Sequence, residues 1–132
     1  MTKQQEQLRE FHEKFGCVIN DRPTIVDLDI AVLRESLIEE ELNEFSAAAI
    51  DNDSRDLSEI ADALGDLLYV VLGSAVSFGI DLEPVFEEIH RSNMSKVWPD
   101  GTIHKNELGK VIKPDTYSPA DLGPIIEKQL KS

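Results

Sequence analysis

The sequence has one cysteine, Cys17, so an internal disulfide is excluded. That fits a reducing compartment such as the cytoplasm. Basic residues are also scarce. Thirteen lysines and arginines stand against 26 aspartates and glutamates, for a formal net charge of −13. A nucleic-acid surface or an anionic membrane surface needs clustered positive charge, so neither partner is expected. A nucleotide substrate stays open, because a bound metal reverses the local sign. No apolar leader opens the chain, which starts T-K-Q-Q-E-Q after the methionine. The longest apolar stretch, 60–80, is broken by Asp62, Gly65, Asp66, Gly73, Ser74 and Ser77, so no membrane span is expected. Repeats and low-complexity tracts are missing.

What is present reads as one all-α domain. The chain has 132 residues and an apolar fraction of 41%, enough for a core. A first helix is expected over 3–15, with Leu8, Phe11, His12 and Phe15 on one side and Gly16 as its stop. N-D-R-P then signals a turn. A second helix starts near Thr24 or Asp27 and ends before D-N-D-S, at about residue 50. Asp56 or Ser58 caps a third helix that runs to Phe78 and stops at Gly79. Gly65 and Gly73 share a face of it, which suggests close approach of another helix. Asp81 and Pro84 open a fourth helix with Val85, Phe86 and Ile89 inside.

Beyond Trp98 the composition changes. W-P-D-G is a turn, a small hairpin is expected around 102–111, and Ser118-Pro119 starts a short helix that Gly123-Pro124 should interrupt. The expected architecture is a four-helix bundle, body about 3–97, with an irregular C-terminal arm, about 98–132. The second and third helices carry apolar residues on more than one side. A homodimer or dimer of dimers would cover them.

The chemistry lies in acids placed where a helix buries oil. On the second helix Ile30, Leu37, Ile38, Leu42, Phe45, Ala48 and Ala49 form one apolar stripe. Glu41 falls inside it and Glu44 at its edge. On the third helix Glu59 and Asp62 are three apart, with Asp66 one turn on. Charge at helical spacing is usually just a solvated face, and Glu59 could simply close a capping box with Asp56. Yet an unpaired buried carboxylate is costly. Arg34 is the main basic residue on hand in the second helix, and none lies between Glu59 and Phe78. A divalent cation is the simpler neutraliser. Mg²⁺, or Mn²⁺ in its place, suits oxygen ligands from Glu41, Glu44, Glu59 and Asp62.

Such a site suits displacement at phosphorus. Glu40, rotated from Glu41 by one residue, is the candidate base for the attacking water. Asp66 is a further ligand or substrate contact, or a polar contact at a dimer seam. Asn93 and Lys96, three apart, could reach the phosphates, with Arg91 nearby and Lys105, Lys110 and Lys113 on the arm. For Lys96 the helix dipole alone is also a sufficient reason. Trp98, Phe15 or Tyr69 could stack on a base, though core packing is the commoner use. A di-iron bundle would need two Glu-x-x-His motifs, and only Glu87-x-x-His90 is present.

The segment E-E-L-N-E, a gap, then E-I-A-D resembles the E-x-x-E … E-x-x-D signature of the all-α nucleoside triphosphate pyrophosphohydrolases. H-R-S-N-M-S-K-V and the tail G-K-V-I-K-P-D-T-Y-S-P-A-D-L resemble a MazG-like branch, the phosphoribosyl-ATP pyrophosphohydrolase-like proteins. The resemblance implies an α-helical fold, dimers or dimers of dimers, Mg²⁺ dependence, and cleavage of a nucleotide between the α and β phosphates to monophosphate and pyrophosphate. It implies Glu41, Glu44, Glu59 and Asp62 as metal ligands, Glu40 as the holder of the attacking water, and Asn93 and Lys96 near the phosphates. Phosphoribosyl-ATP as substrate and a non-catalytic metal-binding adaptor are the alternatives.

Overall fold

The computed structural model describes residues 1–51, 53 and 55–132. The D-N-D-S break therefore falls partly outside the described residues, at Asn52 and Ser54. Among the described residues the chain forms two compact units, Met1–Leu82 and Glu83–Ser132. Their order is α1 (Lys3–Phe15), α2 (Leu28–Ala49), α3 (Leu57–Phe78), α4 (Leu82–Met94), β1 (His104–Lys105), β2 (Val111–Ile112) and α5 (Gly123–Lys131). The all-α class holds.

Local signals set the helix ends of the first unit. Thr2 caps α1 by accepting from the Gln5 N–H, and Gly16 closes it at φ 72°. Asp56 accepts from the Ser58 N–H at the start of α3, and Gly79 ends that helix at φ 71°. At Gly79 an added Cβ would also run into the Arg22 carbonyl. The loop between α1 and α2 satisfies carbonyls that α3 leaves open at its C-terminus. Asn20 donates from its N–H to Val76 O and from Nδ2 to Ser77 O, and the Thr24 N–H donates to Phe78 O.

α3 packs against both α1 and α2. The contacts around its C-terminal half are largely polar. His12, 2% exposed, faces the Val18 carbonyl through Nδ1 at 2.9 Å. Gln5, equally buried, donates to Ile80 O and accepts from the Leu82 N–H. Leu8, Ala63, Ala75 and Val76 supply buried apolar surface. Gly73 is where the helices close in: a Cβ there would lie 2.5 Å from Arg34 Nη2 and 3.0 Å from His12 Nε2. Gly65 has nothing near it, so the expected close approach occurs at Gly73 only.

α3 is long and apolar enough, by length and composition, to cross a membrane. Its C-terminal half is buried in this unit at Gly73, Ala75, Val76 and Ser77, while its N-terminal half carries three acids.

The second unit begins in the first turn of α4. Val85 is buried there, but Phe86 is 72% and Ile89 41% exposed, against the expectation that all three lie inside. β1 and β2 pair antiparallel, with His104 opposite Ile112, as the expected hairpin. Trp98 donates from Nε1 to Ile112 O and lies against His104. Gly123-Pro124 does not interrupt a helix; it begins α5. Proline fits the first turn because its missing N–H has no helical partner there in any case.

Candidate active site

α2 and α3 run antiparallel in register. Arg34 meets Val70 and Ser74 at one end, and Glu44, Ala47 and Ala48 meet Glu59, Asp62 and Ala63 at the other. Those last six residues line a cleft of about 270 Å³. The three alanines keep it open; longer side chains would fill it. Three of the four motif carboxylates, Glu44, Glu59 and Asp62, therefore line this cleft.

Glu41 holds the inner position. It is half-buried, and its Oε2 is buried with no hydrogen-bond partner among the described residues. Its pKa is raised, first by desolvation and then by Asp66, Glu44, Glu40 and Asp62. Those causes place four other carboxylates within electrostatic reach of one group. Glu40, Glu44, Glu59, Asp62 and Asp66 are exposed. The expectation that Asp62 and Asp66 are buried in oil is thus corrected: α3 has an open face along this row. Leu64 and Leu68, each two residues on and so on roughly the opposite side of the helix, are about half exposed as well.

Neutralisation by Arg34 is ruled out by its position. Arg34 is 7% exposed, donates from Nε to Ser74 Oγ at 3.1 Å and from Nη2 to Val70 O at 2.9 Å. Burial lowers its pKa. The sequence could not reveal this, because the polar partners lie on another helix.

The Glu59 capping box is half made. Asp56 accepts from Ser58, and among the described residues no return bond from Glu59 is formed. Glu59 instead lines the cleft. An all-carboxylate donor set with an unpartnered buried oxygen fits a hard divalent cation. Among the described residues, however, no three aspartate, glutamate, histidine or cysteine side chains stand close enough together to hold one without moving. Glu44, Glu59 and Asp62 are exposed, so their side chains have room to turn.

The other expected contacts lie in the second unit. Asn93 is exposed and Lys96 half-buried, both at the end of α4. Lys110 is exposed at the hairpin turn, its N–H donating to Asn106 Oδ1. His90 is exposed on α4, as a surface histidine would be. Of the aromatics, Trp98 is committed to the hairpin. Phe15 stacks on Phe11 at 4.4 Å, and Phe11 meets Tyr69 edge-on at 5.6 Å. Tyr69 follows Asp62 and Asp66 along one row of α3, so this aromatic cluster adjoins the acids. Core packing accounts for the cluster only in part, since Phe15 is 69% exposed.

Residues 8–93 match the family model of phosphoribosyl-ATP pyrophosphohydrolase. An uncharacterised protein of Acanthamoeba polyphaga mimivirus is 35% identical over 109 residues, covering 74% of this chain. The chain spans 42% of that protein's length. A crystal structure of a provisionally named NTP pyrophosphohydrolase from Exiguobacterium sp. 255-15 is 27% identical, with a TM-score of 0.47 over 98% of this chain and 95% of the other. The stretch that matches the family model contains α2, α3 and every carboxylate of the cleft, and the chain belongs to the phosphoribosyl-ATP pyrophosphohydrolase family, within the MazG-like superfamily of nucleotide pyrophosphohydrolases.

Proposed function

We propose that the chain hydrolyses a nucleoside triphosphate, a dNTP or non-standard NTP, between its α and β phosphates, releasing the monophosphate and pyrophosphate. The observation that carries this reading is the unpartnered, buried Glu41 Oε2 among four other carboxylates on facing helices. Glu41, Glu44, Glu59 and Asp62 would hold Mg²⁺ or Mn²⁺. Bound there, the ion supplies charge neutralisation at the phosphate oxygens.

The chain's own groups do the rest. Glu40 orients the attacking water and takes its proton as the water oxygen bonds to phosphorus. The α–β bridging oxygen leaves with the electron pair of the broken bond. Asp66 is a further substrate contact in the first unit; Asn93, Lys96 and Lys110 are the phosphate-binding candidates of the second. The exposed apolar residues of α2 and α3, Val32, Leu33, Leu42, Leu64 and Leu68, support a homodimer or dimer of dimers.

The family match favours one second reading, phosphoribosyl-ATP as the substrate. It is separated from the first by including that nucleotide in any substrate series. The site itself is tested by thermal unfolding with and without Mg²⁺. Wild type should gain stability with the ion, and Glu41→Gln and Asp62→Asn should lose both this gain and turnover. Full activity in either variant would overturn the assignment. Retained Mg²⁺ binding with no turnover of any nucleotide would favour a non-catalytic adaptor.

A further inference from the structure

The tail motif K-P-D-T-Y-S-P-A-D-L has a structural role that the proposed reaction leaves unused. Within the second unit it is latched along the C-terminal half of α4. Ser95 Oγ accepts from the Ser118 N–H at 2.8 Å. Arg91 donates from Nη2 to Pro119 O at 3.2 Å. Glu88 accepts from the Asp121 N–H at 2.8 Å. Pro114 is buried, and the Ser92 hydroxyl, itself buried, donates to the Tyr117 phenol oxygen at 3.4 Å.

The latch gathers positive charge on a strongly acidic chain. Lys113 Nζ lies 4.6 Å from the Tyr117 ring centre. Lys113, Lys96 and Arg91 all help to lower the Tyr117 pKa, after the Ser92 hydrogen bond as the largest cause. The three cations differ in one respect. Arg91 is held by Glu88 through two bonds, of 2.7 and 2.8 Å, and Glu88 is held down to about 2, first by Arg91 and then by the Asp121 N–H. That pair cancels itself. Lys96 and Lys113 have no carboxylate partner among the described residues. The uncompensated Lys113 ammonium thus lies over the Tyr117 ring, Lys96 just past α4 is within electrostatic reach, and the buried Ser92 holds the phenol oxygen. Ammonium and hydroxyl donors in such a set suit a multiply charged phosphate oxyanion.

We propose that Lys113 and Tyr117, with Lys96, form a phosphate-binding site within the second unit that takes pyrophosphate. As a site for pyrophosphate it stands apart from the triphosphate reading above. Glu88 and Arg91 are positioning residues, which hold the tail against α4 at Pro119 and Asp121.

Isothermal titration of the full chain with inorganic pyrophosphate, in chelator and without divalent metal, tests it. Without metal the acidic cleft repels the probe. Wild type should bind, Lys113→Ala should weaken binding about tenfold and Tyr117→Phe measurably. Lys128→Ala, which removes the same charge from exposed α5, should leave affinity unchanged. No binding by wild type, equal binding by Lys113→Ala, or an equal loss in Lys128→Ala would overturn the subsite. If wild type binds pyrophosphate through Lys113 yet turns over no nucleotide, the subsite stands and the triphosphate reading fails. If turnover is normal and Lys113→Ala leaves pyrophosphate affinity unchanged, the reverse holds.

Discussion

Arg34 donates from Nε to the Ser74 hydroxyl at 3.1 Å, and this bond commits the only basic side chain of α2 to the backbone and hydroxyl of α3. α3 has no basic residue at all. The carboxylates further along the same helix pair are therefore left without a protein cation from either helix. One buried guanidinium ties the helices together at one end and leaves the other end electrostatically open.

Arg34→Ala should cost about 2 kcal/mol, the scale of lost hydrogen bonds from a charged donor. Urea unfolding should show a lower midpoint with an unchanged slope. An unchanged midpoint would mean the guanidinium bonds contribute nothing net.

Gly73 and Gly65 should respond oppositely to alanine. At Gly73 the new methyl meets Arg34 and His12 at 2.5 and 3.0 Å, so Gly73→Ala should destabilise by about 1–3 kcal/mol. At Gly65 the space is open, and Gly65→Ala should stabilise α3 by roughly 0.5–1 kcal/mol. Thermal unfolding of the two variants reads the difference directly.

Glu41 and His12 predict opposite pH slopes in the metal-free protein. The folded-state pKa of Glu41 is raised, so the native chain binds its proton more readily than the unfolded chain. Its ionisation costs stability as pH rises from the ordinary carboxylate range through the raised value. Glu41→Gln should remove that decline. The pKa of His12 is lowered, by burial first, and also by Arg34. Its contribution is full above the ordinary imidazole value of about 6.5 and is lost as pH falls below it. The groups facing the ring are the Val18 carbonyl, Arg34 of α2 and Gly73 of α3. Since a carbonyl only accepts, Nδ1 carries the proton. NMR at pH 7 should find neutral His12 in the Nδ1–H form; an imidazolium signal would contradict this.

Oligomeric state follows from exposed oil. Light scattering on the full chain should give a dimer or tetramer. Leu64→Glu with Leu68→Glu, both about half exposed and one turn apart on α3, should shift it toward monomer. A monomeric wild type would overturn the proposed assembly.

Helix ends are legible in the sequence because their causes are local. Gly16, Asp56 and Gly79 act within one turn, and the structure uses each as its sequence suggests. The acidic spacing is legible for the same reason, since three-residue steps fix a shared face. Partners across helices are not. The apolar surroundings of Asp62 and Asp66 suggest burial, yet burial depends on which face of α3 meets α1 and α2. Phe86 and Ile89 fail likewise: amphipathic spacing says that a face is apolar, not that it is covered. Gly123-Pro124 reads as a breaker in isolation, yet it opens α5, because proline is accepted in the first turn of a helix. Lys113 and Tyr117 are visible in the sequence only as part of a tail motif. Their placement against α4 depends on serine and arginine contacts that spacing does not encode.

The bond that is cut decides the proposed activity, and the products report it. Purified chain is incubated with Mg²⁺ and each common NTP and dNTP, dUTP and phosphoribosyl-ATP included, and the products are resolved by chromatography. A nucleoside triphosphate should give a monophosphate and pyrophosphate, and Glu41→Gln should give neither. Diphosphate with orthophosphate would place the cleavage at the wrong bridge and contradict the proposal.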